Sequence, residues 1–169
     1  LRFSFFDHRD DCVEMHAIMR GCLAENFQAE APEAYQRVQR WLLDHYAEPV
    51  RNLEPRDIDA RAVAGYREAS YHALRSLTPG EMLAWLHDCS IPLGMASQHA
   101  LVADLFDSAL LVAEPALGAG DPAVLRARTR QALALAGAGK SSEAESILKN
   151  VLASPERPTS EDRLHRADA

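Results

Sequence analysis

The side chains best equipped for chemistry in this chain are its histidines, cysteines and arginines, and spacing decides what each group can do. His8, Cys12, His16 and Cys22 invite a metal site, because a helix over 8–16 would put the first three on one face. Cys12-Val13-Glu14-Met15-His16 alternates as a half-buried strand does, however, and no fourth ligand follows at a zinc spacing. His87-Asp88-Cys89 sets an imidazole beside a thiol with no evident third group to orient them, so it reads as a helix end. An enzyme built on His72 or His87 lacks an acidic or nucleophilic partner at a telling spacing. His8-Arg9-Asp10 has the order of a kinase catalytic triplet, but Met15 stands where the required Asn would follow; it reads as a polar turn. Gly139-Lys140-Ser141 ends like a phosphate loop, yet Ala134 occupies the position of that motif's first Gly. The preceding residues are patterned as a helix, so the segment predicts a turn with Gly139 at positive φ. Arg126, Arg128 and Arg130, with Arg37, Arg40, Arg61, Arg67 and Arg75, offer either a basic strip for an acidic peptide or phosphate, or a solvated helical face.

The elements that would position these residues are helical. Val102, Leu105, Phe106, Ala109 and Leu110 each meet an apolar counterpart 42 positions later, at Ala144, Ile147, Leu148, Val151 and Leu152. Matched amphipathic helices at a fixed spacing predict a helical-repeat array. Upstream, a helix is predicted over about 32–48 with a stripe of Tyr35, Val38, Trp41, Leu42 and Tyr46, stopped by Pro49. Asp57 is expected to cap a helix reaching Leu77, with Ala62, Tyr66, Ala69, Ala73 and Leu77 on one face. Thr78-Pro79-Gly80-Glu81 is a capping box opening a short helix that Pro92 and Gly94 should break. Helices over about 95–117, 122–137 and 141–153 follow. Residues 1–28 read as strand, turn, strand and helix, the last with Ile18, Cys22, Leu23 and Phe27 at helical spacing. The polar stretch 158–169 is expected to be disordered.

Composition bounds the function. A hydrophobic share of 47% with 25% charged residues is that of a globular domain with a core. A net charge of −7 argues against direct nucleic-acid binding. No apolar run approaches membrane-spanning length, so no membrane partner is expected. Three cysteines without framework spacing point to a reducing, cytoplasmic setting. The first residue is Leu rather than Met, which suggests a segment of a longer protein.

The stretch 99–153 resembles tetratricopeptide repeats of the roughly 42-residue, kinesin-light-chain-like kind. Ala144 stands at the family's small helix-B position, Leu148 at its larger packing position, Gly139 at its turn and Pro155 near its terminating proline. Arg128 and Gln131 depart from it, standing where a large aromatic and a leucine are usual. Residues 29–157 are thus expected to stack as antiparallel helical hairpins that bind a protein or peptide ligand, with Arg126, Thr129, Arg130 and Leu133 at the ligand-facing positions. A chaperone-tail carboxylate clamp, which uses Lys and Asn, is not expected. Residues 1–28 resemble the end of the winged-helix region of STAND (NB-ARC-type) signalling ATPases, with Met15-His16 matching a Met-His-Asp motif whose Asp is Ala17 here. That resemblance implies a nucleotide-sensing role for His16, facing ADP held by an upstream nucleotide-binding domain in cis. This segment itself would carry no cofactor and no catalytic residue, since ADP or ATP would need that upstream domain. The alternative is a free-standing tetratricopeptide adaptor; a phosphate loop encoded upstream of Leu1 would favour the former, a nearby initiator Met the latter.

Overall fold

The computed structural model describes residues 6–9, 12–15 and 17–154. Strands β1 (Phe6–Arg9) and β2 (Cys12–Met15) pair antiparallel, from Phe6 opposite Met15 to Arg9 opposite Cys12. Asp7, His8 and Arg9, expected in a turn, are therefore strand residues. Seven α-helices follow among the described residues: α1 (Ala17–Glu30), α2 (Pro32–Ala47), α3 (Ala60–Ser76), α4 (Pro79–Met95), α5 (His99–Leu117), α6 (Pro122–Gly137) and α7 (Ser141–Ala153). The protein is mainly helical, as a helical-repeat array requires.

Short connections make neighbouring helices antiparallel. At α5 and α6 the polar contacts show it directly: Arg128 reaches Glu114 while Gln131, further along α6, reaches back to Asp107. The main core lies between α4, α5 and α6, where Met82, Leu86, Leu93, Phe106 and Val124 are fully buried. A smaller cluster of Leu43, Ala47, Ala69 and Ala73 joins α2 to α3, with Leu77 and Trp85 packed against it.

The 42-residue echo is also written in the backbone. At the end of α6, Gly139 takes φ +82°, its N–H donates to Ala136 O, and the N–H of Lys140 donates to Leu135 O. At the end of α4, Ser97 takes φ +59°, its N–H donates to Gly94 O, and the N–H of Gln98 donates to Leu93 O. Both are Schellman caps, and every participating residue of one lies 42 positions from its counterpart in the other. The hairpins α4–α5 and α6–α7 are therefore structural repeats with a common turn. Because α5 lies between α4 and α6, Val102, Phe106, Ala109 and Leu110 are buried. Their α7 counterparts pack chiefly on α6; only Ala144 is buried and Leu152 is exposed.

Several boundaries differ from expectation. α4 runs past Pro92 to Met95 instead of breaking there. The bond this proline cannot make would go to Asp88 O, on an exposed residue whose carbonyl water can satisfy. The reversal comes instead at Ser97, and α5 starts at His99 rather than 95. Asp57 lies in a 3₁₀ turn (Pro55–Asp57), and the cap of α3 is Asp59, whose carboxylate accepts from Ala62 N at 2.8 Å. The buried seam of α2 is Tyr35, Gln39, Leu43 and Ala47, which leaves Val38 and Trp41 outside. Ala69 and Ala73 of α3 lie against the Leu43–Ala47 part of that seam, and their small side chains allow close approach. On α1, Cys22 is exposed and Leu23 about half exposed, while Phe27 meets Tyr35 edge-on at 5.8 Å; the side chain of Ile18 lies outside the described residues. The capping box at Thr78–Glu81 and the buried face of α3 are as expected.

Ser97 holds a left-handed conformation that costs an L-residue roughly 1–2 kcal/mol, part of which glycine's extra chain entropy offsets. Ser97→Gly should therefore raise unfolding stability by about 0.5–1 kcal/mol, and Gly139→Ala should lower it by about 1 kcal/mol. Urea midpoints at unchanged slope would show this; a destabilised Ser97→Gly would mean that the serine does more than close the turn.

Candidate functional site

Applied to the expected ligand-facing residues, the 42-residue repeat assigns each a partner on α4. Arg126, Thr129, Arg130 and Leu133 correspond to Ala84, His87, Asp88 and Ile91. The spacing i, i+3, i+4, i+7 puts each set on one helical face, and α4 and α6 pack against each other. A cleft of about 250 Å³ opens between them, lined by Ala84, His87 and Asp88 on one side, by Ala123, Arg126 and Ala127 on the other, with Phe106 at its floor. A second cleft of about 190 Å³, where Arg51 and Trp85 lie, shares Asp88 with the first.

The polar groups of the groove are coupled. Arg130 Nη2 lies 3.4 Å from His87 Nε2, and His87 Nδ1 lies 3.6 Å from Asp88 Oδ1. A neutral His87 carrying its proton on Nδ1 can accept from the guanidinium and face the carboxylate. That arrangement places the imidazole as a link between Arg130 and Asp88. Neither Arg126 nor Arg130 has a carboxylate within 4 Å among the described residues. The Thr129 hydroxyl is turned back onto Leu125 O at 2.9 Å, so it offers a ligand little. Leu133 and Ile91 are both exposed apolar side chains at equivalent positions. The structure thus brings Arg126 to the wall of the cleft and Arg130 against His87 beside it. His87 and Asp88 were missed as their partners, although shifting α6 back by 42 finds them.

The wider set of arginines does not form one strip. Arg128 points to α5, where Nη2 meets both Glu114 oxygens at 2.6 Å; its buried Nε has no acceptor among the described residues. Arg37 pairs with Glu33, and Arg75 covers the Tyr71 ring at 3.4 Å.

The candidates for covalent or acid–base chemistry are occupied otherwise. Cys89 sits against the core, and burial, with Asp88 adding to it, pushes its thiol up to about 12, which leaves no thiolate at neutral pH. Tyr66, 1% exposed, donates to Val50 O at 2.9 Å, and burial raises its phenol to about 12. His72, 7% exposed, donates from Nδ1 to Gln39 Oε1 at 2.7 Å, stacks on Tyr46 and meets Tyr71 edge-on. Among the described residues, no three of His, Cys, Asp and Glu gather as metal ligands, and no helix is long and apolar enough to cross a membrane. His16, Asp10, the side chains of His8 and Cys12, and the stretch 158–169 lie outside the described residues.

Burial lowers the His72 pKa below the ordinary imidazole value of about 6.5, Arg75 adding to the effect and Glu68 opposing it. The unfolded chain then binds a proton that the folded chain declines. The stability contribution is present above about pH 6.5 and is lost as pH falls from there through the lower folded value. His72→Gln should therefore lose less stability than the parent between about pH 7.5 and 5.5, as urea titrations at both values would reveal; equal losses would exonerate His72.

Comparison with protein-family models, with curated proteins and with solved structures returns no match to this chain.

Proposed function

We propose that this chain is a non-catalytic protein-interaction region that holds an extended peptide segment of a partner in the groove between α4 and α6. One observation carries the reading: His87 and Asp88 of α4 and Arg126 of α6 line one cleft, Arg130 reaches His87 beside it, and neither arginine has a carboxylate partner among the described residues. The apolar wall of Leu83, Phe106 and Ala127 can take a peptide's apolar side chain while the guanidiniums take its carboxylates. Arg126 and Arg130 stand four residues apart on α6, about 6 Å along the axis. Alternate side chains of an extended strand, about 6.6 Å apart, come close to that spacing. A Glu-x-Glu segment is the matching ligand.

Within a larger protein, such a groove suits the sensor end of a STAND-type regulator, where ligand binding would bias an upstream nucleotide module. The resemblance around Met15, and the two-stranded ladder read as the wing of a winged helix, support that placement over a free-standing adaptor.

A labelled eight-residue peptide carrying Glu-x-Glu between leucines tests the groove. Its anisotropy should rise on binding, and Arg126→Ala with Arg130→Ala should weaken it about tenfold or more. Arg37→Ala with Arg56→Ala, which removes equal charge elsewhere, should change it less than about twofold. Equal effects of the two pairs would refute a defined groove.

A further inference from the structure

A larger cleft lies outside that groove. It measures about 650 Å³, within the range of ligand sites, and lies at the loop end of the α2–α3 hairpin. Tyr46, Val50, Leu53 and Ala62 make an apolar floor, while Asp57, Asp59 and Glu68 stand at the rim opposite a single guanidinium, Arg61. The floor needs Gly65: a Cβ there would come within 3.1 Å of Val50 Cγ1.

The rim charges are poorly compensated. Glu68 and Arg61 join no ion pair among the described residues, and the nearest cation to Asp57 is Arg56 at 4.0 Å, both well exposed. Asp59 uses one oxygen to cap α3. An aromatic run leads to the cleft: Trp41, 63% exposed, stacks on His45 at 5.3 Å, and His45 meets Tyr46 edge-on at 5.1 Å.

Carboxylates beside aromatic rings over an apolar floor suit a guanidinium with its alkyl stem: salt bridges to the rim, stacking on the rings, methylenes on the floor. A purely apolar occupant would take water from the carboxylates of Asp57 and Glu68 without offering either a partner of its own. The net charge of −7 also draws basic partners toward the chain. We propose that the α2–α3 cleft is a second interaction surface, which receives an arginine side chain from a basic segment of a partner protein. It is separate from the α4–α6 groove and has the opposite charge preference.

A labelled octa-arginine peptide tests this on the full chain at low salt. Binding is expected, and Asp57→Asn with Glu68→Gln should weaken it about tenfold. Ala64→Trp fills the cleft without changing charge and should weaken it comparably. Glu143→Gln with Glu145→Gln removes the same charge from α7 and should shift binding less than about twofold. Circular dichroism of each variant identifies any that misfolds, and the Asp57/Glu68 pair decides alone if Ala64→Trp does. No binding by the parent, or equal weakening by the two charge pairs, would overturn the proposal. So would unchanged binding by a folded Ala64→Trp. Failure of the Glu-x-Glu peptide in the groove leaves this result untouched, since the two probes carry opposite charges.

Discussion

A helix that must reverse within three residues has to satisfy its last carbonyls somewhere, and the left-handed turn at Ser97 and Gly139 is where this chain does so. The two turns fix where α4 and α6 end and return α5 and α7 at the same relative position. The α4 and α6 faces come to lie side by side because the reversals match, and the groove is the space between those faces. Had either helix ended a residue later, its face would have rotated by about 100°, since 3.6 residues complete a turn. His87 and Arg130 would then no longer meet.

The α2–α3 hairpin is built differently. Its helices are joined by twelve residues containing two 3₁₀ turns, rather than by a three-residue cap. Two buried polar contacts tie it down: Tyr66 to Val50 O, which pins the connection onto α3, and His72 to Gln39, which sets α3 against α2. Polar pairs of this kind specify an arrangement more than they add stability, because leaving one member unpaired inside costs more than the bond returns. The longer connection also leaves room for the large cleft, which the tight caps of the other hairpins do not.

Helix positions were legible in the sequence wherever local chemistry decided them. Thr78–Glu81 forms its capping box and Gly139 its positive-φ turn because both are determined by neighbours along the chain. The reading failed where tertiary contact decided. Asp59 outcompeted Asp57 as a cap because a 3₁₀ turn intervened. Trp41 and Val38 lost the α2 seam to Gln39, a polar residue that only His72, 33 positions away, makes acceptable inside. Ser97 hid a repeat turn because serine seldom signals a left-handed residue. Half of the groove, Arg126 and Arg130, was suggested by the resemblance to tetratricopeptide repeats. The other half, His87 and Asp88, looked like an isolated helix end until the repeat was seen to include α4.

Arg128 and Gln131, the residues that fit a tetratricopeptide pattern least well, have a consequence for how stiff the array is. Both reach across to α5, at Glu114 and Asp107. If α6 slid by one turn, about 5.4 Å, both would lose their partners while still half enclosed, at roughly 1–3 kcal/mol for each orphaned group. A greasy interface would tolerate such slippage at small cost and behave as a spring. This one has a notch, so α6 is biased toward one register on α5, and the angle between neighbouring hairpins is set by polar contacts as well as by packing.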